Sequence, residues 1–117
     1  MESELRIQSE ICKFYNNEYC LQHHTPRCLI LAIPNGGERN KVNAMMSIAA
    51  GEYAGASDLL VIHYGKLLFI EVKTADIKKS FQKPKQKLFQ EHVEAMGFKY
   101  FIVRSLGEFK AIIENIQ

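Results

Sequence analysis

Gly55-Ala56-Ser57-Asp58-Leu59-Leu60-Val61-Ile62-His63-Tyr64-Gly65-Lys66-Leu67-Leu68-Phe69-Ile70-Glu71-Val72-Lys73 is the stretch that decides how this chain folds. Two runs rich in branched and aromatic residues flank Tyr64-Gly65, so Asp58–His63 and Lys66–Thr74 read as the two strands of a hairpin. With a two-residue loop His63 faces Lys66, and counting outward along an antiparallel ladder sets Asp58 opposite Glu71. A four-residue loop from His63 to Lys66 keeps this pairing, whereas an odd loop shifts it. Tyr is an awkward first turn residue, because the primed turns want Gly, Asn or Asp where φ is positive.

Lys73 lies two residues beyond Glu71 and so shares its face. Two carboxylates and an ammonium therefore converge. Like charges directly opposed destabilise a sheet, and a divalent cation held by oxygen ligands, Mg²⁺ or Mn²⁺, would offset that cost. An isolated Glu-X-Lys is ordinarily a solvent-facing pair on an edge strand. Here its place after alternating large apolar residues and opposite an acid favours a site.

Outward from the hairpin, residues 2–18 predict an amphipathic helix capped by Ser3, with Leu5, Ile7, Ile11, Cys12, Phe14 and Tyr15 as its apolar stripe. Glu4 and Gln8 fall on the side of Ile7 and Ile11, while Arg6, Glu10 and Lys13 fall opposite. An acid in a first helical turn also answers the helix dipole. Cys28–Ile33 predicts a short buried strand stopped by Pro34. Asn35-Gly36-Gly37 is either a tight connector needing positive φ or a turn whose N–H groups approach a ligand such as phosphate, with Arg39 and Lys41 close by. Residues 41–50 predict a short helix ended by Gly51.

Beyond Lys73, residues 84–96 predict a helix opened by Pro84 and ended by Gly97, with Leu88, Phe89, Val93 and Met96 facing inward. Gln86 in its first turn can reach the face of the acids. Lys99–Arg104 is a last strand, and residues 106–116 a closing helix with Phe109, Ile112, Ile113 and Ile116 inside. The order αβ(α)ββαβα makes a mixed sheet flanked by helices.

The 117 residues suit one domain, 1–117, with 47% apolar and 24% charged residues. No apolar run approaches the ~20 residues of a membrane span, and no signal peptide is evident, so a cytoplasmic protein is expected. Cys12, Cys20 and Cys28 form no paired motif, and Cys20, His23, His24 and Cys28 match no standard zinc spacing. The net charge is only +2, yet Lys73, Lys78, Lys79, Lys83, Lys85 and Lys87 face a lone Asp76. That segment is either a solvated lysine-rich loop or the place where a polyanion is met.

With Asp58 opening the second strand and Glu71-Val72-Lys73 closing the third, the chain resembles the PD-(D/E)XK nuclease superfamily. More narrowly it resembles a stand-alone VRR-NUC domain, the virus-type replication-repair nuclease, through Ser3-Glu4 with Ile7-Gln8, Pro34-Asn35-Gly36-Gly37, Gly51 through Gly55 to Ser57-Asp58-Leu59, Phe69–Thr74, Gln86 with Phe89 and Gly97, and Val103-Arg104-Ser105. Ser57 replaces the superfamily's usual Pro before the Asp.

The resemblance implies a restriction-endonuclease-like α/β fold and a structure-specific DNA endonuclease. Asp58, Glu71, the Val72 carbonyl and Glu4 would hold one or two Mg²⁺ or Mn²⁺ ions, with Glu10 the alternative first-helix acid. Lys73 would position the nucleophile, and Gln86 would orient the lysine or the water. Asn35, Gly36, Gly37, Arg39, Lys41, Lys78, Lys79, Lys83 and Lys85 would contact phosphates. It further implies branched double-stranded DNA such as a Holliday junction as partner, a homodimer, no organic cofactor, no membrane, and the cytoplasm of a prokaryotic or phage-infected cell. A non-catalytic or flap-directed DNA-binding module of the same fold is the alternative.

Overall fold

The computed structural model describes residues 2–34 and 41–116, with the backbone alone at 41–44. The secondary structure runs α1 (Glu4–Phe14), one π-helical turn (Tyr15–Tyr19), α2 (Cys20–Gln22), β1 (Leu29–Ala32), α3 (Lys41–Ala49), β2 (Leu59–His63), β3 (Lys66–Val72), α4 (Pro84–Ala95), β4 (Lys99–Val103) and α5 (Leu106–Asn115). The strands form one sheet in the order β1-β2-β3-β4. β1–β2 and β2–β3 are antiparallel, and β3–β4 is parallel because α4 carries the chain back across the sheet between them.

The hairpin register agrees with the sequence reading: His63 pairs with Lys66 and Leu59 with Ile70. Tyr64 and Gly65 both take positive φ, 48° and 81°, which is the type I′ turn that twists with its strands. Alternate residues then divide between two faces. Leu59, Val61, Leu68, Ile70 and Val72 are buried with Val103 against Ile7, Ile11 and Tyr15 of the N-terminal helical run and Phe109 and Ile113 of α5. The other face carries Phe69 and Tyr100 beneath Phe89 of α4.

Three expectations need correction. The helical run continues past residue 18 to Gln22 by absorbing the π-turn, which keeps both Tyr15 and Cys20 inside. The β1 strand is not buried: it lies at the sheet edge, and Leu29 and Leu31 are 52% and 43% exposed. Leu5, Leu88 and Met96 also stand in solvent, because each faces a side of its helix that none of the described elements covers.

Helix ends follow their local chemistry. Ser3 Oγ accepts from the Arg6 N–H at 3.1 Å. Ser105 Oγ accepts from the Glu108 N–H at 3.1 Å, and Glu108 reaches back to accept from the Arg104 N–H at 2.7 Å, which together cap the start of α5. Gly51 and Gly97 leave α3 and α4 at φ of 106° and 90°.

Candidate metal centre

Glu71 is the penultimate residue of β3 and projects to the α4 face, yet it is 1% exposed. Its Oε1 is a buried acceptor with no hydrogen-bond partner. An ionised oxygen held this way is costly. Burial first, then the hydrogen-bonding and charge of Asp58, push the Glu71 carboxyl up to about 9. Lys73 pulls the other way and Glu4 adds to the rise. The Lys73 Nζ lies 3.8 Å from Glu71 Oε2, at the outer limit of an ion pair, which is why burial prevails.

Asp58 precedes β2, one residue beyond the Leu59–Ile70 pair. Its Oδ2 accepts from the Val72 N–H at 2.8 Å, so β3 itself fixes the carboxylate beside Glu71. Gln86 occupies the third position of α4, where its Oε1 accepts from the Lys83 N–H at 2.8 Å. Its Nε2 donates to Glu71 Oε2 at 3.4 Å. A helix cap and a contact to the acid are thus one side chain.

The two candidate helix acids are placed differently. Glu10 lies 4.0 Å from Arg6 on the outward side of α1. Glu4 turns toward the sheet end, where its Oε2 accepts from Ser80 Oγ at 2.9 Å, and Ser80 Oγ accepts from the Thr74 N–H at 2.8 Å. Among the described residues no three His, Cys, Asp or Glu side chains are close enough to share one ion. Asp58 and Glu71 are the two carboxylates brought together here, with Glu4 one serine removed. Two carboxylates with water completing the shell is the arrangement Mg²⁺ favours, and the unpartnered Oε1 is an oxygen such an ion would satisfy. The buried Lys73 lies beside Glu71.

Three residues join the site that the sequence did not mark. Ser80 connects Glu4 to the strand end. Arg104 donates from Nη1 to the Thr74 carbonyl at 2.6 Å and the Ser80 carbonyl at 2.7 Å, pinning the connector that carries Ser80. Tyr100 accepts from Gln82 Nε2 at 3.4 Å. Burial above all, with the charges of Glu71 and Asp58 adding to it and Gln82 opposing, raises its hydroxyl well past the ordinary phenol range. Of the three, Arg104 alone had a signal, its place within Val103-Arg104-Ser105.

Lys78, Lys79, Lys83 and Lys85 are exposed along the connector and the start of α4. Asp76, the acid among them, accepts at Oδ1 from the Lys78 and Lys79 N–H groups, so it shapes a turn and its charge is directed at the backbone. Asn35, Gly36, Gly37 and Arg39 lie outside the described residues, as does the Lys41 side chain. In the Cys20–Cys28 region the cysteines are free, Cys20 Sγ contacts the Cys28 carbonyl at 3.5 Å, His23 stacks on Tyr19, and no metal-binding cluster forms among the described residues.

No family model matches the sequence, and no curated protein matches it. Solved structures do. One described as "VRR_NUC domain protein" superposes with a TM-score of 0.73 at 18% identity, covering 97% of this chain and 87% of that one. Another, described as "VRR_NUC domain", gives 0.61 at 21% identity, covering 97% of both. The four-stranded mixed sheet, its flanking helices and its paired acids are thus set on the fold of VRR-NUC domain proteins.

Proposed function

We propose that this chain is a metal-dependent, structure-specific DNA endonuclease that hydrolyses phosphodiester bonds in branched DNA, of which a Holliday junction is one form. The observation that carries the reading is Glu71: a buried carboxylate with an unpartnered oxygen, held against Asp58 and beside Lys73. A fold maintains such a cluster at a cost to stability, and a cation brought in with a phosphate offsets that cost.

Asp58 and Glu71 would hold Mg²⁺ or Mn²⁺, with the Val72 carbonyl adjoining and Glu4 acting through Ser80. Such an ion supplies Lewis acidity toward the phosphate and acidifies water. The chain's own groups do the rest. The Val72 N–H keeps Asp58 in place, and Gln86 keeps Glu71 from turning away. Lys73, fixed in a buried position, presents its ammonium to the charge that grows on the phosphate as the bond to the leaving oxygen breaks. Lys78, Lys79, Lys83 and Lys85 would bind the backbone to either side, which positions a duplex without reading its bases.

A homodimer suits a four-way junction, whose approximate two-fold axis would meet two active sites. Exposed apolar side chains on edge strand β1, Leu29 and Leu31, and on α3, Met45, Met46 and Ile48, support this. No helix among the described residues is long and apolar enough to cross a membrane.

Incubation with labelled four-way junction DNA and Mn²⁺ tests the reading. Wild type should nick the junction, and Asp58→Ala, Glu71→Ala and Lys73→Ala should each lose cleavage by at least about a hundredfold. Equal cutting by these variants, or no cutting of any branched substrate by wild type, contradicts it.

A further inference from the structure

The end of the sheet farthest from Asp58 carries a second cluster that the hydrolytic reading does not use. His63 closes β2, five residues from Asp58, roughly 17 Å along the strand at ~3.3 Å per residue. It faces the opposite side of the sheet from Glu71, because it shares the face of Leu59 and Val61. The His63 ring is 4% exposed, and its Nδ1 is 2.7 Å from the Tyr15 hydroxyl. Around it lies a groove of about 570 Å³ walled by Tyr19, His23, Tyr64, Lys66 and Lys110.

Four features converge there. The π-helical turn brings Tyr15 and Tyr19 into parallel stacking at 5.3 Å, and His23 continues the stack on Tyr19 at 4.2 Å. Such turns within helices recur at functional sites. Tyr64 holds a positive φ of 48°, which Gly or Asn would adopt at less cost, and it stands 47% exposed with its ring edge-on to His63 at 4.9 Å. Lys66 and Lys110 bring two ammonium groups, and among the described residues neither is ion-paired. Lys110 rests over the Phe14 ring at 4.9 Å, leaving Glu114 as the groove's opposing charge. Burial, then Lys66 and His23, lower the His63 pKa, so its ring is a neutral hydrogen-bonding group at physiological pH.

Flat rings with exposed faces, a neutral imidazole and a pair of unpaired cations match a planar heterocycle that carries a phosphate. The size is that of a pocket for one small molecule. We propose that this groove binds a free nucleoside monophosphate, the base stacking on the exposed Tyr64 and His23 rings, its edge meeting His63, and the phosphate lying between Lys66 and Lys110. Its position on the far face makes it independent of the hydrolytic centre.

The test uses the full chain carrying Glu71→Gln, in the presence of chelator, so that no metal-held phosphate contributes. Titration with dAMP, followed by the NMR signals of the His and Tyr rings, should give saturable shifts at His63, His23 and Tyr64. Tyr64→Gly should weaken dAMP about tenfold, the loss of one stacked ring, while the melting temperature holds or rises because Gly suits the turn. Lys110→Gln should weaken dAMP and leave deoxyadenosine, which has no phosphate, unaffected. Absence of shifts at millimolar dAMP overturns the proposal, as does dAMP binding that survives Tyr64→Gly. Oligonucleotides that bind this groove progressively tighter with each added nucleotide also overturn it, since the occupant would then be a strand. Failure here leaves junction cleavage untouched, and the reverse also holds.

Discussion

At the scale of single residues, Glu71 stands apart as a buried acid with an unpartnered oxygen. Its carboxyl titrates near 9 in the folded chain against 4.5 for the free group, with burial as the leading cause and Asp58 next. A carboxyl whose pKa is raised by folding binds its proton more tightly in the native state. Its contribution to stability is then fully present below about pH 4.5 and is lost as pH rises through about 9. Metal-free protein should lose stability across that window by up to a few kcal/mol, since each tenfold difference in proton affinity is worth ~1.4 kcal/mol. Glu71→Gln should flatten the profile and melt above wild type near pH 8. Thermal melts in chelator at stepped pH check this, and a wild-type curve that stays flat or rises from pH 5 to 9 goes against it. The acids themselves were legible from strand alternation and ladder counting, which need only local pattern. Ser80 was not, because its partner Glu4 lies 76 residues away and nothing local announces that contact.

Among elements, the placement of α4 completes the site, since Gln86 and Lys85 ride on it. Gly55 fixes that placement. It holds φ at +88°, and a Cβ there would come within 2.6 Å of the Lys85 carbonyl carbon and oxygen. The backbone before β2 therefore touches the first turn of α4 directly, and small residues at this point serve helix docking as well as any ligand. Gly55→Ala should destabilise the fold by about 3 kcal/mol or more, from left-handed strain together with overpacking. It should also separate Gln86 from Glu71 and reduce cleavage. A urea midpoint equal to wild type would show that α4 is not held this way. Sequence pattern placed α4 to within a residue, through Pro84 and Gly97. It overfilled the inner stripe, since periodicity names an apolar face but not how much of that face a four-stranded sheet can cover. Leu88 and Met96, both in solvent, mark the difference.

For the whole molecule, β1 raises the same question on a larger scale. An apolar strand reads alike whether it lies at the centre or the edge of a sheet, and here it is an edge. Leu29 and Leu31 on β1, and Met45, Met46 and Ile48 on α3, are exposed apolar side chains, and the proposed second copy would cover the β1 edge. Light scattering at micromolar concentration should give twice 13.4 kDa, and Leu31→Lys should shift the protein to monomer without lowering its melting temperature much. A wild-type monomer would rule the dimer out. Fold and acid pair together support one central claim, that Asp58 and Glu71 form a divalent-cation site. Calorimetric titration of Mn²⁺ tests it most directly. Wild type should bind with saturable heat that is abolished in both Asp58→Ala and Glu71→Ala, whereas unchanged Mn²⁺ binding in those variants would contradict the account.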